Sequence, residues 1–178
     1  MDTESGEFDF DSATGSFAGF RIGEELANIG TTEAVGRTGE VSGEMTIADS
    51  TLTATEVTVE VSTLTSDRPR RDDRMHEALG TGQFPEATFE AHRGGGARRR
   101  CTRGRGRLGG RHRNLTIHGV TNEVTAKLQA RLTDGTAVVV GSIPVTLADY
   151  DIDAPGSPVV LSVSDEATVE FQLLFVPA

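Results

Sequence analysis

Between Glu56 and Leu64 the chain reads EVTVEVSTL, with Val57, Val59 and Val61 alternating against Thr58, Glu60 and Ser62. A period of two marks a half-buried β-strand, because successive side chains leave a strand on opposite faces, whereas a helix would scatter these valines around its circumference. β-branched residues also fit a pleated surface better than a helix. The same alternation runs through VSGEMTI, where Val41, Gly43, Met45 and Ile47 share one side, and ADSTLTA reads as the hairpin connection between the two runs. Further strands are expected from ATFEA, LTIHGV, EVTAKLQARL, TAVVVGSIPVTL, PVVLSVS and TVEFQLLFV, separated by turn sequences such as Asp134-Gly135 and Pro155-Gly156. Only DDRMHEALGTG, residues 72–82, reads as helix, stopped by its glycines. Many closely spaced strands with one helical insert predict an all-β chain, an antiparallel barrel or sandwich.

A chain of 178 residues is expected to form one domain, large enough to bury about 70% of its unfolded surface without staples. Trp is absent, Tyr occurs once, and Gly occurs 21 times, a composition that favours strands and turns. The single cysteine, Cys101, excludes an internal disulfide framework and by itself builds no structural zinc site. No stretch reaches about 18 consecutive apolar residues. The N-terminus MDTESGEFDFDS lacks the basic and apolar regions of a signal peptide. As written, the chain is therefore expected in the cytoplasm, with an extracytoplasmic location the alternative if the N-terminus is truncated.

The formal net charge of −10 disfavours general attraction to phosphates or anionic membranes. Charge is unevenly distributed. Residues 93–113, RGGGARRRCTRGRGRLGGRHR, hold nine arginines and no acidic residue, so elsewhere eight basic residues face 27 acidic ones, a formal −19. Three readings stand for this segment. One is an RNA-binding arm, weakened because no aromatic residue is interleaved for base stacking. Another is a disordered surface loop. The third, favoured by the abrupt change of composition, is a local reading-frame shift in G/C-rich DNA. Codons CAC CGG for His112-Arg113, read one base later, give Thr and the start of Gly. All three make residues 93–113 irregular.

Candidate chemistry is sparse. His76, His92, His112 and His118 do not fall at zinc-ligand spacing, so no metal site is expected. Asp149, Asp151 and Asp153 begin like a calcium loop, but Ala154 and Val160 stand where that loop requires Gly and Glu; the alternation with Tyr150 and Ile152 predicts a strand with a wet acidic face. GRGRLG at 104–109 matches a dinucleotide-binding pattern without the strand and helix that must flank it. No nucleophile elbow is present. No catalytic residue and no cofactor are expected.

The order of features, FDFDSATGSFAGFRI, then VSGEMTI and EVTVEVSTLTSD, then RRDDRMHEALGTGQFPEATFE, then LTIHGVTNEVT, resembles the YceI-like family of polyisoprenoid-binding proteins. The middle block carries Arg71, Asp72, Met75, Phe84, Pro85, Thr88 and Phe89 at the family's positions, and Leu115 to Thr121 match its second block in full, followed by Val124. Arg74 departs from the histidine frequent in relatives, the opening strand is thin in aromatics, and relatives enter the second block as Thr-Gly-Asp-Leu-Thr where this chain has His112-Arg113-Asn114.

The resemblance implies a lipocalin-like antiparallel β-barrel of about eight strands with one short helical insert. Residues 1–7 would be a flexible N-terminus and 8–178 a single domain interrupted by the segment at 93–113. It also implies non-enzymatic binding of a long isoprenoid or fatty amphiphile, with Phe20, Met45, Val57, Val59, Val61, Phe84, Phe89, Ile117 and Phe171 as candidate lining and Arg71 as a candidate headgroup contact. Arg71 and Asp72 are otherwise expected to pair and cap the helix, and His118 to make a structural hydrogen bond. Inward-facing apolar residues of a small barrel are equally the material of a plain core, so a ligand-free interaction sandwich remains the alternative, with RNA binding a further one and a homodimer an option for assembly.

Overall fold

Alternating sequence becomes paired backbone. The computed structural model describes residues 15–48, 51–92, 112–133, 135–154 and 159–177. Its strands are β1 (Phe17–Leu26), β2 (Gly30–Thr38), β3 (Val41–Ala48), β4 (Thr51–Glu60), β5 (Glu86–His92), β6 (His112–Ile117), β7 (Val120–Glu123), β8 (Lys127–Thr133), β9 (Thr136–Thr146) and β10 (Val160–Phe175), with helix α1 at Pro69–Ala78. They form two antiparallel five-stranded sheets, ordered β2-β1-β10-β9-β8 and β3-β4-β5-β6-β7. Each strand pairs with its neighbour in the chain, and β1 pairs with β10, so the order is that of a meander wrapped back on itself. Two neighbouring pairs are exceptions. Neither β2 and β3 nor β7 and β8 are hydrogen-bonded as strands, and at these seams the chain passes from one sheet to the other. Among the described residues the ladder is thus two sheets of ten strands in all, not one closed barrel of about eight.

Short-range chemistry explains the departures from the expected elements. The run EVTAKLQARL breaks at Val124–Ala126, where β7 ends and β8 begins in the other sheet. PVVLSVS and TVEFQLLFV fuse into the single 16-residue β10, whose irregular register against β1 absorbs the polar Ser164-Asp165-Glu166. Helix α1 starts earlier than expected because Pro69 occupies its first turn, where a missing N–H costs nothing. Residues 149–153 are not a strand. Leu147–Tyr150 form a 3-10 turn and Asp151 is left-handed, a geometry that still buries Tyr150 and Ile152 between exposed aspartates. Val61 likewise leaves β4 for a 3-10 turn spanning Val61–Thr63. The irregular segment expected at 93–113 ends sooner than its composition suggested, since His112 and Arg113 pair with His92 and Ala91 in the sheet. Residues 93–111 lie outside the described residues, as do 1–14, which include the flexible N-terminus expected at 1–7, and the turn residues Asp134, Pro155 and Gly156.

The main apolar cluster joins Ala18, Val139, Ile143, Phe171 and Leu173 of the first sheet to Val57 and Leu115 of the second, with Tyr150 and Ile152. A smaller cluster of Val61, Leu64, Met75 and Ala87 lies under α1, which therefore rests on one end of the space between the sheets.

Candidate ligand-binding interior

Register lays the inward side chains of the second sheet out in rows. Val41 opposes Val59, which opposes Ala87, while Ile117 opposes Val120 at the same end. The next row is Gly43, Val57, Phe89, Leu115 and Asn122. The third is Met45, Thr55, Ala91 and Arg113, extended by Val124, whose N–H donates to Arg113 O at 2.8 Å. Facing them from the first sheet are Ala18, Val139, Ile143, Val169, Phe171 and Leu173. Within this interior Val41, Met45, Val59, Phe89, Ile117, Val120 and Val169 stay only partly buried although they face the opposite sheet. Protein cores normally pack to crystal-like density, so these inward apolar side chains mark the part of the interior that the fold leaves incompletely covered.

Six expected lining residues, Met45, Val57, Val59, Phe89, Ile117 and Phe171, come together in the main cluster. Phe20 and Val61 belong to the neighbouring apolar groups beneath and beside α1. Phe84 stands apart. Its ring meets the His118 ring edge-on, with centroids 5.0 Å apart. His118 and Gly119 both adopt positive φ, 52° and 76°, forming the two-residue turn between β6 and β7. His118 Nδ1 donates to Tyr150 O at 3.1 Å, the structural hydrogen bond expected of it, and this fixes the turn against the 3-10 segment. The two sequence blocks that resemble the family thus meet at one end of the molecule.

Arg71 faces protein carboxylates. Its guanidinium reaches Glu24, 6% exposed on the inward side of β1, at 2.5 Å, and also pairs with Asp67. Asp72 does not pair with Arg71. It accepts from Ser66 N at 2.8 Å and Ser66 Oγ at 2.6 Å, tying the segment before the helix to its first turn. On the outer face of the first sheet Glu170 lies 3.3 Å from Arg21 and 3.9 Å from Arg37.

Sequence reasoning missed the polar members of the interior. Arg113 is 7% exposed, its Nη1 donates to Ala126 O at 2.8 Å, and burial pushes its pKa below the ordinary arginine value. Thr55 is 9% exposed, and its Oγ1 is buried without a hydrogen-bond partner. The signal was parity, because Arg113 stands two residues before Leu115 and Thr55 two before Val57. Composition instead grouped Arg113 with the glycine-rich run. The histidines do not converge: His76 Nε2 donates to Leu64 O at 2.9 Å and His92 lies 3.6 Å from Glu90. Among the described residues no three His, Cys, Asp or Glu side chains are grouped to hold a metal, and no helix is long and apolar enough to cross a membrane.

Two antiparallel sheets around an apolar interior, with one helix across an end, define a mainly β domain. The YceI-like domain model matches residues 8–175, and the chain belongs to that family. Solved structures share the fold. A polyisoprenoid binding domain from Saccharophagus degradans implicated in plant cell wall breakdown superposes with a TM-score of 0.69 at 16% identity, covering 92% of this chain and 94% of that one. Burkholderia cenocepacia BcnA gives 0.64 at 17% identity, covering 89% and 96%. The Campylobacter jejuni YCEI protein gives 0.57 at 15% identity, covering 80% and 84%. No curated protein matches the chain.

Proposed function

We propose that this chain binds a long isoprenoid or other amphiphilic lipid between its two sheets, which act as a flattened lipocalin-like barrel, and that it carries or sequesters that lipid without transforming it. The observation that carries this reading is the set of inward rows in which Val41, Met45, Val59, Phe89 and Ile117 face the opposite sheet while staying partly accessible. Burial of each ligand CH₂ contributes about 0.8 kcal/mol, so a chain of about sixteen carbons, worth roughly 13 kcal/mol, reaches micromolar affinity without an ion pair when association costs about 4–5 kcal/mol. Family membership and the polyisoprenoid binding domain of the same fold support the lipid class.

Organic extraction of the purified protein followed by mass spectrometry tests it, together with uptake of a fluorescent fatty-chain probe by the delipidated protein. A co-purifying long-chain molecule and saturable uptake are expected. Ligand-free extracts with no uptake would leave the interaction sandwich standing instead. RNA retained in a salt-dependent manner and lost on deletion of residues 93–111 would shift the function to the arginine segment.

A further inference from the structure

The outward face of the second sheet carries one sign of charge. Glu44 opposes Glu56, Glu56 opposes Glu90, and Asn114 links Glu90 to Glu123, so carboxylates stand in cross-strand register from β3 to β7. One row nearer α1 the outward residues are Ser42, Thr58, Thr88, Thr116 and Thr121, and beyond them Glu60 opposes Glu86. Among the described residues this face therefore holds six glutamates and no lysine or arginine. The first sheet differs, because there Glu33 and Glu170 meet Arg21 at 2.9 and 3.3 Å. Like charges directly opposite one another on a sheet are destabilising, and a broad field of one sign attracts a partner of the other.

The chain carries such a partner at the end of this face. β5 ends at His92, which pairs with His112 at the start of β6, two residues past Glu90 and Asn114. The connection between them, residues 93–111, holds eight arginines and no acidic residue. A connection of 19 residues reaches about 30 Å out and back. Glu44 on β3 and Glu56 on β4 lie only one or two strand spacings from β5, within about 10 Å. Anchoring at both ends on this sheet keeps the guanidinium groups at high local concentration beside the glutamates, and arginine meets carboxylates through charge-assisted, often paired hydrogen bonds.

We infer that residues 93–111 dock on the outward face of the second sheet, with their arginines set against Glu44, Glu56 and Glu90. The contact lies on the side of the sheet away from the interior and does not depend on what the interior holds. It withholds the arginines from phosphate polyanions. The attraction needs only the charges that the chain carries, whatever the origin of the segment.

Cys101, the only cysteine, lies within the segment and accepts a nitroxide label without any substitution. Paramagnetic loss of backbone amide NMR signals in the full-length protein then reports where the segment rests, first at low ionic strength and then in about 0.5 M NaCl, where exposed ion pairs are screened. At low salt the amides of Glu44, Glu56 and Thr58 should lose their signals while those of Val140 and Ser142 in the first sheet keep theirs, and salt should restore the lost ones. Replacing Glu44, Glu56 and Glu90 together with Gln should prevent the loss, whereas Glu25→Gln with Glu166→Gln, exposed on the first sheet, should leave it in place. Signal loss that is the same at both ionic strengths, or unchanged in the triple variant, overturns the docking, as does loss confined to the first sheet. The salt comparison keeps the test decisive if the triple variant does not fold. Mixing labelled protein with unlabelled, isotope-enriched protein should leave the observed signals intact; loss of the Glu44, Glu56 and Thr58 signals in that mixture would put the segment on a second copy and overturn the intramolecular contact.

Discussion

Replacing Glu24 with Gln tests how α1 is held over the end of the interior. Glu24 projects inward from β1, 6% exposed, and Arg71 of the helix, 17% exposed, reaches it at 2.5 Å. Removing one partner of a fully buried pair costs about 3–5 kcal/mol because a charge is left uncompensated. Two features reduce that figure here. Arg71 keeps Asp67, a 69% exposed partner worth less than about 1 kcal/mol, and the glutamine amide still accepts one neutral hydrogen bond. The expected loss is therefore about 2 kcal/mol, a fall in melting temperature of roughly 4–8 °C for a chain of this size. Thermal unfolding of Glu24→Gln, Arg71→Met and the double variant gives the coupling directly, and it should approach 2 kcal/mol with the double variant less damaged than the sum of the singles. The coupling should persist in 1 M NaCl, because a pair shielded from solvent is weakly screened. A Glu24→Gln variant within about 0.5 kcal/mol of wild type, or coupling that vanishes in salt, would show that Met75 and its apolar neighbours hold the helix alone.

Two further outcomes follow from single residues. Gly119→Ala should cost about 2–4 kcal/mol in chemical denaturation, since φ of +76° disfavours any Cβ and the added carbon would stand 2.6 Å from Phe84 Cε1; a loss below about 1 kcal/mol would mean the His118–Gly119 turn relaxes freely. Tyr150 is 2% exposed, and burial raises its pKa above the ordinary 10.0 despite the nearby Asn122 amide, which donates to Asp149 O at 2.6 Å and makes no well-formed hydrogen bond to the Tyr150 hydroxyl. The unfolded chain therefore ionises first, so wild-type stability holds below about pH 10 and falls as pH rises from there toward the raised folded value. Tyr150→Phe should be as stable as wild type at pH 7 and lose the alkaline decline attributable to this residue, measured as unfolding free energy between about pH 8 and 11.

The strands with β-branched alternation were legible because one face is apolar and the other wet: β3 and β4 follow the valines of their sequences, and six of the expected lining residues meet in one cluster. β2 escaped notice. Its inward residues are Ala34, Gly36 and Thr38, too small to write a hydrophobic period, and Gly36 is small for a reason, since a Cβ there would lie 2.4 Å from the Phe20 ring. Val61 carried the right period into the wrong element, because the chain turns beneath α1 after Glu60 and tertiary packing decides where alternation stops. Arg113 was hidden by composition. A local average over glycines and arginines cannot register that the last arginine of the run enters a ladder and acquires a face.

The two seams explain why so much rests on individual side chains. A closed ladder fixes the distance between facing walls through backbone hydrogen bonds, whereas here the β2–β3 and β7–β8 junctions contribute none between strands. The first seam is bridged by reciprocal backbone bonds between Arg37 and Thr65, 2.9 and 3.0 Å, and by the Thr38–Thr63 hydroxyl contact at 2.6 Å, all beside the helix. The second is bridged by Arg113 to Ala126 O and by Asn122 to Asp149 O. Loop backbone and side chains together thus hold the two sheets in register at the seams, where strand-to-strand hydrogen bonds are missing.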